Sequence, residues 1–362
     1  MSILADNKGL REDYRTSVKR KRYLLLLCCV FLLAIIVCAV ATGSFSLPLA
    51  RVIKAISGEA GHSEMVVIWN IRMPRIMAAV LGGWGLGLAG CVMQSLLRNP
   101  LVSPFTLGIS HGAAFGAAFA IVILHAGIAQ TATLRTTATN LITINSTVIT
   151  TLCAFLGAMM TTVTILLLAR VKRLSVQSII LAGIALSSLF VSGTILIQYF
   201  ASEIELASIV FWTFGDVARS NWKEIGITGI STVLVTVFFF IKRWDLNALS
   251  SGDDTARSLG VHVNRLRLTG MVLAALVAST VTAFHGVIAF LGLLAPHIAR
   301  KLTSSNHGLL IPMSCVIGAM LLLVADTVGR CIIGSGTLPV GILTSFMGAP
   351  LFLYLIVKEK NL

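Results

Sequence analysis

Ionisable side chains are scarce in this chain, so the few that border its long apolar runs are the candidates for chemistry. Arg72 and Arg75, in Arg72-Met-Pro-Arg75, begin one such run, and Arg330 closes another, four residues after Asp326. A guanidinium presents a planar fork of donors that matches a carboxylate two bonds at a time. Three of them facing outward could grip acidic side chains on a docking surface. Asp326 and Arg330, at i and i+4 on one predicted helix, can equally pair with each other. A second polar cluster, Asp253-Asp-Thr-Ala-Arg-Ser-Leu-Gly260, stands between apolar runs and must meet water or a partner. Asp253 and Asp254 suit the start of a short helix, by charge against its dipole, and Gly260 suits its end.

Other chemistry is missing. There is no Gly-x-x-x-x-Gly-Lys-[Ser/Thr] loop and no Gly-Lys dipeptide, so the chain cannot cradle nucleotide phosphates in that way. No His-Glu-x-x-His occurs, and the histidines are scattered. The seven cysteines have no paired spacing that suggests a metal site, and none of the sequence points to a metal or cofactor held by this chain.

The elements that position these residues follow from composition. The chain is 56% hydrophobic and only 12% charged, with mean hydropathy +0.93. Soluble domains carry about 25% charged residues, and a helix needs about 20 mostly apolar residues to cross a bilayer. Ten such stretches are predicted, at about 23–42, 74–96, 105–124, 146–169, 177–199, 224–242, 266–284, 287–301, 309–329 and 339–357. The expected fold class is an all-α integral membrane protein, a polytopic bundle of about ten transmembrane helices. Tyr23 to Val40 is longer than a signal-peptide core, so it reads as an uncleaved first helix. Residues 1–22 form an N-terminal tail, with 1–18 expected to lack regular structure. Residues 23–358 form the membrane domain, with a polar loop at 245–262, and 359–362 a short tail. The eighth stretch is broken by Gly292 and Pro296, which lipid tolerates only where protein or a water-filled cavity satisfies the backbone.

Sorting the 28 basic residues by side puts 20 with the N-terminus and 8 opposite, the latter being Arg51, Lys54, Arg72, Arg75, Arg135, Arg219, Lys223 and Arg330. Basic loops stay in the cytoplasm, so both termini are expected there. The net charge of +14 is accounted for by an anionic leaflet, without nucleic acid as a partner.

Four stretches, taken together and in order, carry a family resemblance. They are Arg72-Met-Pro-Arg75; Arg98-Asn-Pro-Leu-Val-Ser-Pro104 with Phe-Thr-Leu-Gly-Ile-Ser110; Asp253 to Gly260; and Gly286-Val-Ile-Ala-Phe-Leu-Gly-Leu-Leu-Ala-Pro-His-Ile-Ala-Arg300 with Ala325-Asp326, Arg330, Leu338-Pro-Val-Gly341 and Gly348-Ala-Pro350. Over about residues 65–357 the chain resembles the FecCD/BtuC-type permease family of iron–siderophore, haem and cobalamin ABC importers. The resemblance implies a non-catalytic permease with ten helices and a permease dimer with the pathway at its interface, a homodimer being expected and a pair of different permeases the alternative. It also implies two cytoplasmic ATPase subunits that hold ATP and Mg, and an external solute-binding protein. Arg72, Arg75 and Arg330 match the arginines that receive acids of the binding protein. Gly252, Asp253, Asp254, Ala256, Arg257, Leu259 and Gly260 match the segment that couples to the ATPase. His111 and His285, where relatives carry other residues, could contact a metal chelate or haem if they faced the pathway; the alternative is a helix-interface histidine bonded to a carbonyl. A ferric siderophore is the expected cargo, with haem or cobalamin as the alternative. An ion-coupled secondary transporter is more distant, because only Asp326 sits well inside a span and such carriers need intramembrane ionisable groups.

Overall fold

The computed structural model describes residues 2–42, 54, 61–126, 146–172, 176–332 and 338–359. Among these residues every expected span coincides with a helix. Seven helices are long and apolar enough to cross a membrane, Ile109–Val122 and Val340–Tyr354 are shorter apolar ones, and Leu291–Thr303 takes the remaining position. The basic residues Arg51, Arg135, Arg173 and Lys360, used above for sidedness, lie outside the described residues.

Helix α1 runs Ser2–Ala41, so the tail expected to lack structure continues the first span without a break. Its residues include Leu, Lys, Arg and Glu and no proline. Once the apolar span has nucleated a helix, adding such residues costs little. Helix α2 spans His62–Leu96, with a π-helical stretch over Val67–Arg72 directly ahead of Pro74. Proline cannot donate the usual i→i−4 bond, and the wider turn accommodates that gap. There follow α3 Ile109–Val122, α4 Ser146–Lys172, α5 Val176–Phe200, α6 Glu203–Thr213 and α7 Trp222–Ile241. The polar cluster folds as two short helices, α8 Arg243–Ser250 and α9 Asp253–Ser258. Then come α10 Val263–His285, α11 Leu291–Thr303, α12 His307–Ile332 and α13 Val340–Glu359.

Helix α2 lies at the centre, packed on α10, α11 and α12. Lipid gives helices no hydrophobic reason to associate, so close backbone approach must do it. The glycines supply that approach. A Cβ on Gly83 would strike the Gly318 carbonyl, one on Gly87 the Ser314 carbonyl, and one on Gly90 the Gly292 carbonyl. In the same way Gly112 of α3 meets Gly157 of α4. Outward faces of α1, α5 and α7 are apolar and exposed, with Phe31, Leu33, Leu189, Ile195, Ile230 and Leu234 among them. In water such a surface would aggregate, and in hydrocarbon it is the solvated face.

Gly292 and Pro296, expected to break the eighth stretch, both lie inside α11, and the interruption falls ahead of it at 286–290, where protein satisfies part of the backbone. His285 carbonyl accepts from the Asp216 amide at 2.7 Å, and the Gly215 carbonyl accepts from Gly341 at 3.2 Å.

Candidate functional site

Chemistry-capable side chains gather at the two ends of α2. At its first end, Arg75 Nε donates to Asp326 Oδ1 at 2.6 Å. Arg330 Nε lies 3.1 Å from Asp326 Oδ2, an ion pair in which the N–H is not aligned for a hydrogen bond. Donors of Arg72 and Arg330 turn to the end of α1, while Arg330 Nη2 donates to Thr327 Oγ1 at 3.3 Å. Arg72 Nη1 donates to Val40 carbonyl at 2.6 Å, and Arg330 Nη1 donates to the carbonyls of Ala39 and Thr42, each at 3.2 Å. The last carbonyls of a helix lack intrahelical partners and carry partial negative charge, so guanidiniums suit them. The three arginines do come together, but they do not face outward: Arg72, Arg75 and Arg330 are 5%, 8% and 7% exposed. That corrects the expectation of three free guanidiniums. Asp326 is shared between Arg75 and Arg330, so its one carboxylate serves two guanidiniums.

The histidines separate. His285 is fully buried, with Nδ1 3.1 Å from Ser220 Oγ. Among the described residues it sits inside the bundle as the alternative has it, but its partner is the Ser220 hydroxyl and not a carbonyl. His111 is half-buried and packs its ring on Phe105, with centroids 4.8 Å apart. His297 is buried on α11. One motif escapes the sequence reading: Gly108-Ile-Ser-His-Gly112 spells the Gly-x-Ser-x-Gly of a hydrolase nucleophile elbow. That elbow is a strand-to-helix turn with an exposed serine. Here no strand precedes it, and Ser110 is 3% exposed inside the bundle.

Near the same end, Ser202 caps α6 in a capping box with Glu205. Hydrogen bonds from Ser202 backbone and side chain hold the Glu205 carboxyl below its ordinary pKa, with His125 adding a smaller lowering effect. A depressed carboxyl contributes stability that is present above the unfolded value and is lost as pH falls through the folded one. The thermal midpoint should therefore drop more steeply on acidification in the wild type than in Glu205→Gln. Ser202→Ala should cost about 1 kcal/mol, read from the same melting curves at neutral pH.

At the second end, α9 splits the residues assigned to it. Gly252, at φ +117°, admits the turn that starts the helix. Asp253 faces inward: Arg267 Nη2 donates to both its oxygens at 3.1 Å, and Arg98 Nη2 lies 3.3 Å from Oδ1. Ala256 is fully buried. Asp254, Arg257, Leu259 and Gly260 face out, with Arg257 Nη1 3.4 Å from Asp254 Oδ1. Gly260 closes the helix as foreseen. At φ +82° its amide reaches Arg257 carbonyl and the Val261 amide reaches Ala256 carbonyl, a Schellman pair.

Sequence reasoning missed the side chains beneath α8 and α9. Arg267 Nε donates to the Leu96 carbonyl at 3.1 Å. His307 sits between Asn247 Oδ1 and Ser95 Oγ, 2.7 Å from each. Arg267 entered only as a positive charge for sidedness, and a lone histidine ahead of a span gave no signal. Both are polar residues near a helix start that follows a short polar segment, the sign that could have found them.

Residues 30–358 match the FecCD transport family. A Methanocaldococcus jannaschii protein assigned as the ABC transporter permease MJ0087 is 48% identical over 349 residues, 96% of this chain and 97% of its own. The Fe(3+)-citrate import system permease protein YfmE of Bacillus subtilis is 35% identical over 353 residues, 96% of this chain and 99% of its own. A solved structure of a protein assigned as a metal-chelate type ABC transporter, in an inward-facing conformation, shares 30% identity. Its TM-score is 0.77, across 93% of this chain and 99% of its own. With a match that reaches from within the first span to the end of the last and a bundle shared at that level, this chain belongs to the FecCD transport family.

Proposed function

We propose that this chain is the membrane-spanning permease subunit of a binding-protein-dependent ABC importer for a metal chelate. The observation that carries the reading is the family match from residue 30 to residue 358. The chain itself performs no reaction in this scheme, and ATP with Mg is hydrolysed on two partner subunits. Two copies form the pathway at their interface, with both termini in the cytoplasm. The basic-residue count supports that orientation, as does the packing of Arg98, Arg267 and Arg300 around the end of α2 opposite Arg72 and Arg75.

The ATPase surface is the outward half of the second end: Asp254, Arg257, Leu259 and Gly260. Leu259, an apolar side chain 68% exposed beside charged neighbours, suits a protein partner better than water. At the first end, Arg72, Arg75 and Arg330 form a basic cluster that attracts the acidic face of the binding protein through its field, rather than as free forks. A ferric siderophore is the proposed cargo, supported by a relative named for ferric citrate. Haem or cobalamin is the alternative, and His111, the partly exposed one of the two candidate histidines, is the residue that favours it. An ion-coupled carrier fits less well, because Asp326 is fully buried with its charge committed to Arg75 and Arg330.

The test is uptake of radiolabelled ferric siderophore, haem and cobalamin in cells lacking this chain, with and without its re-expression. Loss of one substrate, restored by the gene and abolished by an inactive ATPase partner, is the expected result. Uptake that survives ATP depletion but collapses with the proton gradient would sink the reading.

A further inference from the structure

Two polar struts tie the short helices to the last turn of α2. The first runs from Asp253 of α9 through Arg267 of α10 to the Leu96 carbonyl. Arg267 clasps both carboxylate oxygens at 3.1 Å with one nitrogen and reaches the carbonyl at 3.1 Å with another. That carbonyl ends α2 and has no helical acceptor role left, so the guanidinium is its partner. The second strut runs from Asn247 of α8 through His307 to Ser95. Asn247 Oδ1 also accepts the His307 backbone amide at 2.8 Å. An amide N–H can only donate, so Asn247 presents its oxygen, and Nδ1 of His307 must carry the ring proton that points at it. Nε2 then lies 2.7 Å from the Ser95 hydroxyl, whose single proton is shared between Nε2 and the Cys91 carbonyl, also 2.7 Å away. His307 is buried, and Ser95 is 8% exposed. Water cannot replace these bonds cheaply, so breaking them carries the cost of orphaned buried groups.

The struts meet consecutive residues of one turn, Ser95 and Leu96, and reach both short helices. At the far end the same α2 holds Arg72 and Arg75. We infer that α8 and α9 are locked to α2 and move with it as one rigid body, with Arg267 and His307 as the positioning residues. This rests on the permease reading above for its meaning: a displacement imposed on the exposed face of α9 is delivered to α2, and through it to the arginine end, without slack. The outward residues of α9 are then the contact, while Asp253 belongs to the linkage.

The test uses the full chain co-expressed with its ATPase partner, with the native cysteines replaced and spin labels at Ser258→Cys on α9 and Ile71→Cys at the first end of α2. Ser258 is exposed, and Ile71 is 59% exposed. Pulsed dipolar spectroscopy then gives their separation without nucleotide and with MgATP trapped by vanadate. A narrow distribution that shifts by well under one helical turn, about 5 Å, is expected in both states. Arg267→Met combined with His307→Leu should at least double its width, and Arg267→Lys with native His307 should stay near the wild type. A wild-type separation that changes by a turn or more on trapping would overturn the inference, as would double-variant distributions as narrow as the parent. Absence of any ATPase bound to the wild-type chain would overturn the permease reading instead, a result visible at purification before any label is read.

Discussion

Replacing Asp326 with alanine should destabilise the purified protein by about 3–5 kcal/mol, the usual cost of stranding buried charge by removing its partner. Asp326 is fully buried, Arg75 and Arg330 both depend on it, and neither guanidinium can shed its proton to escape. At about 2–4 °C per kcal/mol for a domain of roughly this size, the melting midpoint in detergent should fall by about ten degrees. Asp326→Asn keeps an oxygen for the Arg75 bond but not the charge, and should fall between the two. The loss should also shrink when Arg75 is made methionine in the same chain, because one stranded charge then disappears. A midpoint for Asp326→Ala within about two degrees of the wild type would mean that the cluster is solvated, and that the burial described here is wrong.

Gly90→Val should be equally damaging for a different reason. Its Cβ would land on the carbonyl of Gly292, so α2 and α11 would have to part along their whole contact. Overpacking costs about 1–3 kcal/mol where side chains can yield, and here the obstacle is backbone. The expected outcome is loss of the monodisperse peak on size exclusion. Gly226→Ala supplies the control: it lies in α7, nothing lies within 4 Å of an added Cβ there, and the change should be neutral or stabilising by about 0.5–1 kcal/mol. Equal yields from Gly90→Val and Gly226→Ala would remove close backbone approach as the force holding α2 in place.

These two sites differ in how far the sequence discloses them. Clusters of glycine around 82–90 announce a packing face, and apolar run lengths announce ten spans, because both are local properties. The short helix at Asp253–Ser258 was equally readable, from acids at its start and Gly260 at its end. The pairing of Asp326 with Arg330 follows from spacing alone, four residues on one helix. Depth does not follow. Arg72 reads as an exposed helix end until the fold brings Val40, 32 residues earlier, into reach of its guanidinium. Asp253 likewise reads as a solvated helix-start acid, and only the return of α10 places Arg267 against it. His285 shows the same limit, since its ring is enclosed by Gly82 of α2 and by Ser220, both far from it in the chain. Sequence periodicity fixes which residues share an element; which of them meet across elements depends on closures between elements, 14 residues apart for Asp253 and Arg267 and 251 for Arg75 and Asp326.

The bond between Arg75 and Asp326 spans 251 residues of sequence. A ribosome adding about 5–20 residues per second therefore releases Arg75 into the membrane some tens of seconds before its counter-ion exists. For that interval the second helix must rest with its charged end near the headgroups, or be held by an insertase. Nascent chains halted before α12 should be recognised as unfinished by quality-control proteases, because Arg75 then lacks the carboxylate that pairs with it in the completed bundle.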